Sequence, residues 1–219
     1  MAMTEQLDAR ALFQAAYENR YTWDAGFPGY SAEICFRCDG KVHSGTVKVN
    51  RNLSVEVSGV TDEAAKQAIT GQLQEIAIHR VRRSFQDTHG KNTFTLGEVD
   101  DTGAVEILVG GKAEGDRYKV RNNEVCMVHR HIHGVVVTIN TLSSHQTDAG
   151  YLSHRYTSVY HDPVTGELKG GPSEFEDNYE QIGGYYILTQ RVIRTVRDGH
   201  AVIEEFEFTN VRLLEPALV

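Results

Sequence analysis

After Asn92 the chain to the C-terminus is written almost wholly in short alternating segments divided by turn residues. The segments are TFTLGEV, AVEILVG, DRYKV, VCMVHRHIHGVVVTIN, GYLSHRYTSVYHD, YYILTQRVIRTV and AVIEEFEFTNVRLL. Between them lie turn signals such as DDTG, RNNE, DPVTGE and VRDG. A period of two sends successive side chains to opposite faces, as a strand requires. Connections this short join antiparallel neighbours, and Asn122-Asn123 suits a tight turn with positive φ. So many consecutive hairpins curl a sheet. The pattern predicts a large curved antiparallel sheet, either a half-barrel or an open barrel.

The segment before Asn92 adds helices and a few more strands. Thr4 to about Trp23 carries an apolar stripe of Leu7, Ala11, Leu12, Ala15 and Ala16, with Thr4 placed to cap it. DAGFPGYS breaks the chain. YSAEICFRC, the DGK turn, HSGTVKV and LSVEVSG then read as three strands. Thr61 caps a second helix running from Asp62 to about Phe85, with Ala65, Ile69, Leu73, Ile76 and Phe85 on its apolar face. No repeat, low-complexity tract or long linker interrupts the chain. The expected architecture is therefore one α+β domain over residues 1–219, with two helices covering the concave side of the sheet.

Charge and composition exclude several functions. A net charge of −8 argues against non-specific nucleic-acid binding, which needs a basic face. The basic run HRVRRSF sits at a helix end, where cations complement the dipole. No apolar leader or membrane-length apolar run appears, so a cytoplasmic location without a transmembrane segment is expected. The three cysteines, Cys35, Cys38 and Cys126, do not form a disulfide framework. The CFRC spacing lies inside a strand pattern, where i and i+3 face opposite ways, so its cysteines read as small apolar residues.

The chemistry-bearing stretch is VCMVHRHIHGVVVTIN. Read as one strand, it places His129, His131 and His133 on one face with Val135, Val137 and Ile139. The other face carries Val128, Arg130, Ile132, Val136 and Thr138. Because the histidine face becomes apolar beyond Gly134, it is expected to line the concave interior, with the imidazoles toward its mouth. On the next strand Leu152, His154, Tyr156, Ser158, Tyr160 and Asp162 share a face. Antiparallel pairing would bring His154 and Tyr156 near His131 or His133, with His145 in the connecting loop. Imidazoles in such a cluster suit Zn, Cu, Fe or Ni. A metal held by two of His129, His131 and His133, with a third ligand from a neighbouring strand, would leave a fourth position open for water or substrate. Without metal, His133 and His154 would act as acid and base, with Tyr156 and Tyr160 orienting substrate. The plain alternative is a solvated strand whose three consecutive histidines are too nearly in line to share one ion.

Other candidates carry less. The glycine pair before YYILTQR reads as structural. EFEDNYE, with Glu174, Glu176, Asp177 and Glu180, reads as a solvated charged turn rather than a calcium loop. VGGKAEGD lacks a phosphate-loop pattern, and no GxSxG occurs.

Several phrases together resemble a known family. LFQAAYENRYTWDAGFPGYSAEI, HRVRRSFQDTHGKNTF, YKVRNNEV, RHIHGVVVTINT, GYLSHRYTSVYHDPVTGELKGGPSEFED and IGGYYILTQRVIRT resemble the domain of unknown function 3386 family, which occurs largely in cyanobacteria and plants. The resemblance spans nearly the whole chain and implies no particular activity. It draws attention to His133, His154, Tyr156 and Tyr160, which stand in its most recognisable phrases. More distantly, the layout is similar to lipoprotein-carrier half-barrels, which implies an apolar ligand in the concavity.

Three function classes fit these readings. The first is an enzyme acting through histidine, by acid/base or metal chemistry, on a small, partly apolar molecule inside the sheet. The second is a non-catalytic carrier of a lipid or pigment-like ligand, bound by Val135, Val137 and Ile139. The third is a partner-binding or assembly protein. Oligomeric state stays open.

Overall fold

The computed structural model describes residues 8–215. Its elements in order are α1 (Ala9–Glu18), β1 (Gly29–Cys38), β2 (Lys41–Asn50), β3 (Val55–Ser58), α2 (Glu63–Arg80) and α3 (Phe85–His89). There follow β4 (Asn92–Val99), β5 (Val105–Gly111), β6 (Arg117–Arg121), β7 (Glu124–Ile132), β8 (Val135–Thr147) and β9 (Gly150–His161). The chain closes with β10 (Ser173–Ile182), β11 (Tyr185–Arg197) and β12 (His200–Leu213). The strand order is β3-β2-β1-β12-β11-β10-β9-β8-β7-β6-β5-β4. The first and last strands are not neighbours, so the antiparallel sheet is open, and the α+β class is as expected.

Tight turns set the register of the ladder. Asp39-Gly40, Asn122-Asn123, His133-Gly134, Gly183-Gly184 and Asp198-Gly199 each have both residues at positive φ. This is the two-residue turn whose twist matches that of paired strands.

The chain divides into two compact units, Met1–Tyr21 with Arg83–Ser173, and Thr22–Arg82 with Glu174–Val219. In the first unit α1 is capped by Asp8, whose carboxylate accepts from the Arg10 amide at 3.0 Å. Its Ala9, Phe13, Ala16 and Tyr17 form one buried stripe. The stripe packs with Phe85 of α3 on Ile107, Val109, Tyr118, Val120 and Val125. Five aromatic rings, Phe13, Tyr17, Phe85, Phe94 and Tyr118, surround the imidazole of His89 at centroid distances of 5.0 to 6.4 Å.

In the second unit α2 packs on β2 and β3, burying Ala65, Ile69, Leu73, Ile76 and Ala77. The sheet supplies Tyr30, Ala32, Ile34, Phe36, Val47, Val49, Phe206 and Phe208 to the core. At Gly45 an added Cβ would lie 2.3 Å from the Ser58 carbonyl oxygen, so β3 approaches β2 where no side chain intervenes.

Several expectations are corrected. Among the described residues there are three helices rather than two. The first ends at Glu18, not near Trp23, because Tyr21 instead donates its amide to the Tyr151 carbonyl at 2.9 Å. Thr4 and Leu7, named for its cap and stripe, lie outside the described residues. Asp62 rather than Thr61 caps α2, accepting from the Ala65 amide at 2.9 Å. That helix stops at Arg80, whose carbonyl accepts from Trp23, and Ser84 starts a separate short helix. The long histidine segment is not one strand but the β7–β8 hairpin. His145 lies in β8 rather than in a loop. EFEDNYE is the middle of β10, not a solvated turn.

Candidate functional site

The hairpin register decides which residues of the histidine stretch share a face. A two-residue turn pairs Ile132 with Val135, Arg130 with Val137 and Val128 with Ile139. His131 pairs with Val136 and His129 with Thr138. Val128 packs against the buried cluster under α1. The face that α1 covers therefore carries Val128, Arg130 and Ile132, joined by Val135, Val137 and Ile139. Pairing with β9 extends it: Val137 opposes Tyr160, Ile139 opposes Ser158, and Thr141 opposes Tyr156. His129 and His131 lie on the opposite face, with Val136 and His161.

The expected inner histidine row is thus inverted. His133 belongs to neither face, since it is the first residue of the turn, at φ 49°. His154 stands at the far end of the β8–β9 ladder, where the register shifts. It lies 3.2 Å from the Ser143 hydroxyl through Nδ1, and its ring centroid is 4.4 Å from that of His145. The structure brings together Val135, Val137, Ile139, Tyr156 and Tyr160, and separates them from His129, His131, His133 and the expected partner His154. Among the described residues no group of three or more His, Cys, Asp or Glu side chains is arranged to hold a metal ion.

Charge on the helix-covered face comes from residues that the strand pattern did not single out. Asp116, ahead of β6, is buried at 4 % exposure. Its carboxylate accepts from Arg130 Nε at 3.3 Å and from the His131 amide at 2.9 Å, and it lies 3.3 Å from the His131 ring. Arg20 follows α1; its Nε donates to the Tyr17 carbonyl at 3.0 Å and its guanidinium stacks 4.0 Å from the Tyr17 ring centroid. Among the described residues the terminal nitrogens of Arg20 and Arg130 have no hydrogen-bond partner. Burial lowers the His89 imidazole to about 4, and the positive charges of Arg130 and Arg20 act in the same direction. Burial pushes the Tyr118 hydroxyl up to about 12, while the two arginines oppose that rise. On the other face burial lowers His129, helped by Arg117 and His131. An apolar ladder with tyrosines and Arg130 on the same face can hold a molecule.

Two surface clefts lie elsewhere. The larger, about 400 Å³, is lined by Gly26, Asn50, Arg51, Asn52, Ser54 and Glu215, among others. Its polar side chains already bond within the cleft wall: Ser54 with Asn52, Asn50 with Glu56, and Arg51 with the Ala25 carbonyl. The smaller, about 120 Å³, lies beside Cys126, Thr141 and Ser143 and is below the size of a usual ligand pocket.

The second unit holds a buried polar chain that the sequence pattern concealed. Arg191 grips Asp177 bidentately at 2.8 and 2.7 Å and reaches Gln72 of α2 at 2.7 Å. Tyr179 donates to Asp177 at 3.3 Å and accepts from Arg80 at 2.9 Å. These bonds tie α2 to β10 and β11 and account for buried charge that would otherwise be costly.

Comparison with known proteins places this α+β sheet protein in a family. The chain matches the model of the protein of unknown function DUF3386 over residues 4–214, and it belongs to that family. No curated protein matches it. Among solved structures it is similar to a LolA superfamily protein from Nitrosomonas europaea, at 14% identity and a TM-score of 0.36, covering 96% of both chains. It is also similar to a DUF1329 family protein from Desulfovibrio piger, at 11% identity and a TM-score of 0.28, covering 96% of this chain and 92% of that one. A third likeness is to the MucA/MucB complex of Pseudomonas aeruginosa, at 10% identity and a TM-score of 0.26, covering 96% of this chain and 100% of that one. Among the described residues no helix is long and apolar enough to cross a membrane.

Proposed function

We propose that this protein binds a small, partly apolar molecule on the helix-covered sheet face of β7, β8 and β9, and carries it rather than transforming it. The observation that supports this reading is the register that sets Val135, Val137 and Ile139 beside Tyr156, Ser158 and Tyr160. Apolar side chains with a few polar groups at their margin are the usual lining of a small-molecule site. Tyr160 keeps 43 % of its surface exposed, so this face is open to a ligand at one edge. The same register counts against histidine-dependent catalysis, because an acid/base pair must reach one reacting group. His129 and His131 point away from the tyrosines, and His133 serves a turn.

The test is saturable binding of an environment-sensitive apolar dye, with mass spectrometry of an organic extract of the purified protein. Ile139→Asp places a charge on the proposed face at a half-buried position. Binding should fall sharply while the circular dichroism spectrum is retained. Dye binding that survives Ile139→Asp unchanged, or no saturable binding in the parent protein, would refute the proposal.

A further inference from the structure

We infer that His129 and His131 form a two-imidazole chelate for a late first-row divalent metal ion. It lies on the sheet face opposite the proposed ligand face and does not depend on that reading. The two residues are i and i+2 of β7, so they project from one side of the strand. His129 is fixed in the ladder between Arg117 of β6 and Thr138 of β8, and His131 pairs with Val136. Their ring centres are 5.9 Å apart and their planes 85° apart, so the rings are neighbours without stacking. A ligand nitrogen lies about 2.0–2.1 Å from zinc, which puts the centres of two imidazoles on one ion roughly 5–6 Å apart.

The bonds each ring already makes decide which nitrogen is left. His131 Nδ1 lies 3.3 Å from the buried Asp116 carboxylate, which also accepts from the His131 amide at 2.9 Å. An ionised carboxylate only accepts, so His131 carries its proton on Nδ1 and keeps its lone pair on Nε2. His129 Nδ1 lies 2.8 Å from Thr138 Oγ1, a hydroxyl able to accept the same bond. Among the described residues neither Nε2 has a hydrogen-bond partner. Metal-bound histidines are held in this way, one ring nitrogen on an oxygen acceptor and the other on the ion. The His131 side chain is 47 % exposed, so an ion reaches it from solvent. Arg117, opposite His129, has its guanidinium 3.6 Å from Glu106, which offsets its repulsion of a cation. Among the described residues no third His, Cys, Asp or Glu completes the set, so water fills the remaining positions. Imidazole ligands select copper, nickel or zinc over magnesium.

The experiment is isothermal titration of the untagged full chain with copper(II), nickel(II), zinc and magnesium chlorides, with circular dichroism checking the fold of each variant. One equivalent of copper should bind with a dissociation constant of about 1 μM, nickel and zinc more weakly, and magnesium not at all. Thr138→Val, which leaves the His129 ring unheld, should weaken copper binding roughly tenfold. His129→Ala and His131→Ala each remove a ligand and should weaken it further, by roughly a hundredfold. His145→Ala removes one ring of the other close histidine pair and should change nothing. If His129→Ala fails to fold, the exposed His131→Ala and the isosteric Thr138→Val decide together. Copper binding that survives either alanine variant unchanged, or that is lost in His145→Ala, would overturn the chelate. So would the absence of saturable binding for all three transition-metal ions.

Discussion

His89 should make the first unit sensitive to acid over a defined range. Its ring sits among five aromatic side chains at 5 % exposure, where burial and two arginines lower its pKa from the ordinary 6.5 to about 4. The unfolded chain therefore binds this proton more readily than the folded one. Neutral His89 is accommodated without penalty above pH 6.5, and stability is lost as pH falls from there toward 4. A gap of about 2.5 pH units at 1.36 kcal/mol per unit limits the loss to roughly 3.4 kcal/mol. Linkage spreads this over the range: about 2 kcal/mol is gone at pH 5 and about 3 at pH 4, relative to pH 7.5. The perturbation is His89→Leu, which keeps an apolar side chain in the cage and removes the titration. Loss of the ring contacts and of the 3.4 Å contact with Asn92 adds an offset independent of this proton. Urea unfolding followed by circular dichroism at pH 7.5, 5 and 4 gives the stability of both proteins. The difference between them should shift by about 2 and then about 3 kcal/mol in favour of the variant. An imidazole seen by NMR to titrate between 6 and 7, or parallel pH profiles for parent and variant, would refute the reasoning.

Two further outcomes follow from the fold. Arg191→Met leaves Asp177 ionised, buried and without its guanidinium, and should cost about 3–5 kcal/mol, read from Trp23 fluorescence in urea. Adding Asp177→Leu should recover most of that loss, and no recovery would mean that the pair contributes more than satisfied charge. His133→Asn places the favoured Asn-Gly pair in the β7–β8 turn and should raise stability by a few tenths of a kcal/mol with ligand binding unchanged. A fall in dye binding in that variant would return His133 to the site.

The turns and most strands were legible because each is a local matter. Asp-Gly, Asn-Asn and Gly-Gly pairs declare positive φ, and alternating segments between them declare strands. The helix stripes were legible for the same reason, but their ends were not. Trp23 donates to the Arg80 carbonyl, and Tyr21 donates to the Tyr151 carbonyl. Both partners are distant in sequence, so neither end could be read from the local stripe alone. β10 was hidden by a longer-range fact. Its Asp177 is buried only because Arg191, on the next strand, neutralises it. Read alone, EFEDNYE is a charged turn; read with β11, Phe175, Asp177 and Tyr179 form an inward row.

The histidine site failed on parity, and the reason is geometric. In one continuous strand His129, His131, His133, Val135, Val137 and Ile139 share a face. A two-residue turn pairs each residue with one at an odd separation, so Ile132 faces with Val135 and odd positions before the turn face with even positions after it. Putting His133-Gly134 in the turn therefore splits the six residues between faces. A bulge opposite Lys119 and Val120 adds a second inversion, which lets Val125 and Val128, three apart, both pack on the core under α1. Nothing within the segment distinguishes His-Gly as a turn from His-Gly as a strand interior, because histidine is only moderately suited to positive φ. The register keeps Val135, Val137 and Ile139 beside Tyr156 and Tyr160, with Arg130 on their face in place of the histidines. A binding surface built from aliphatic side chains tolerates a shift in which polar residue accompanies it. A catalytic constellation does not.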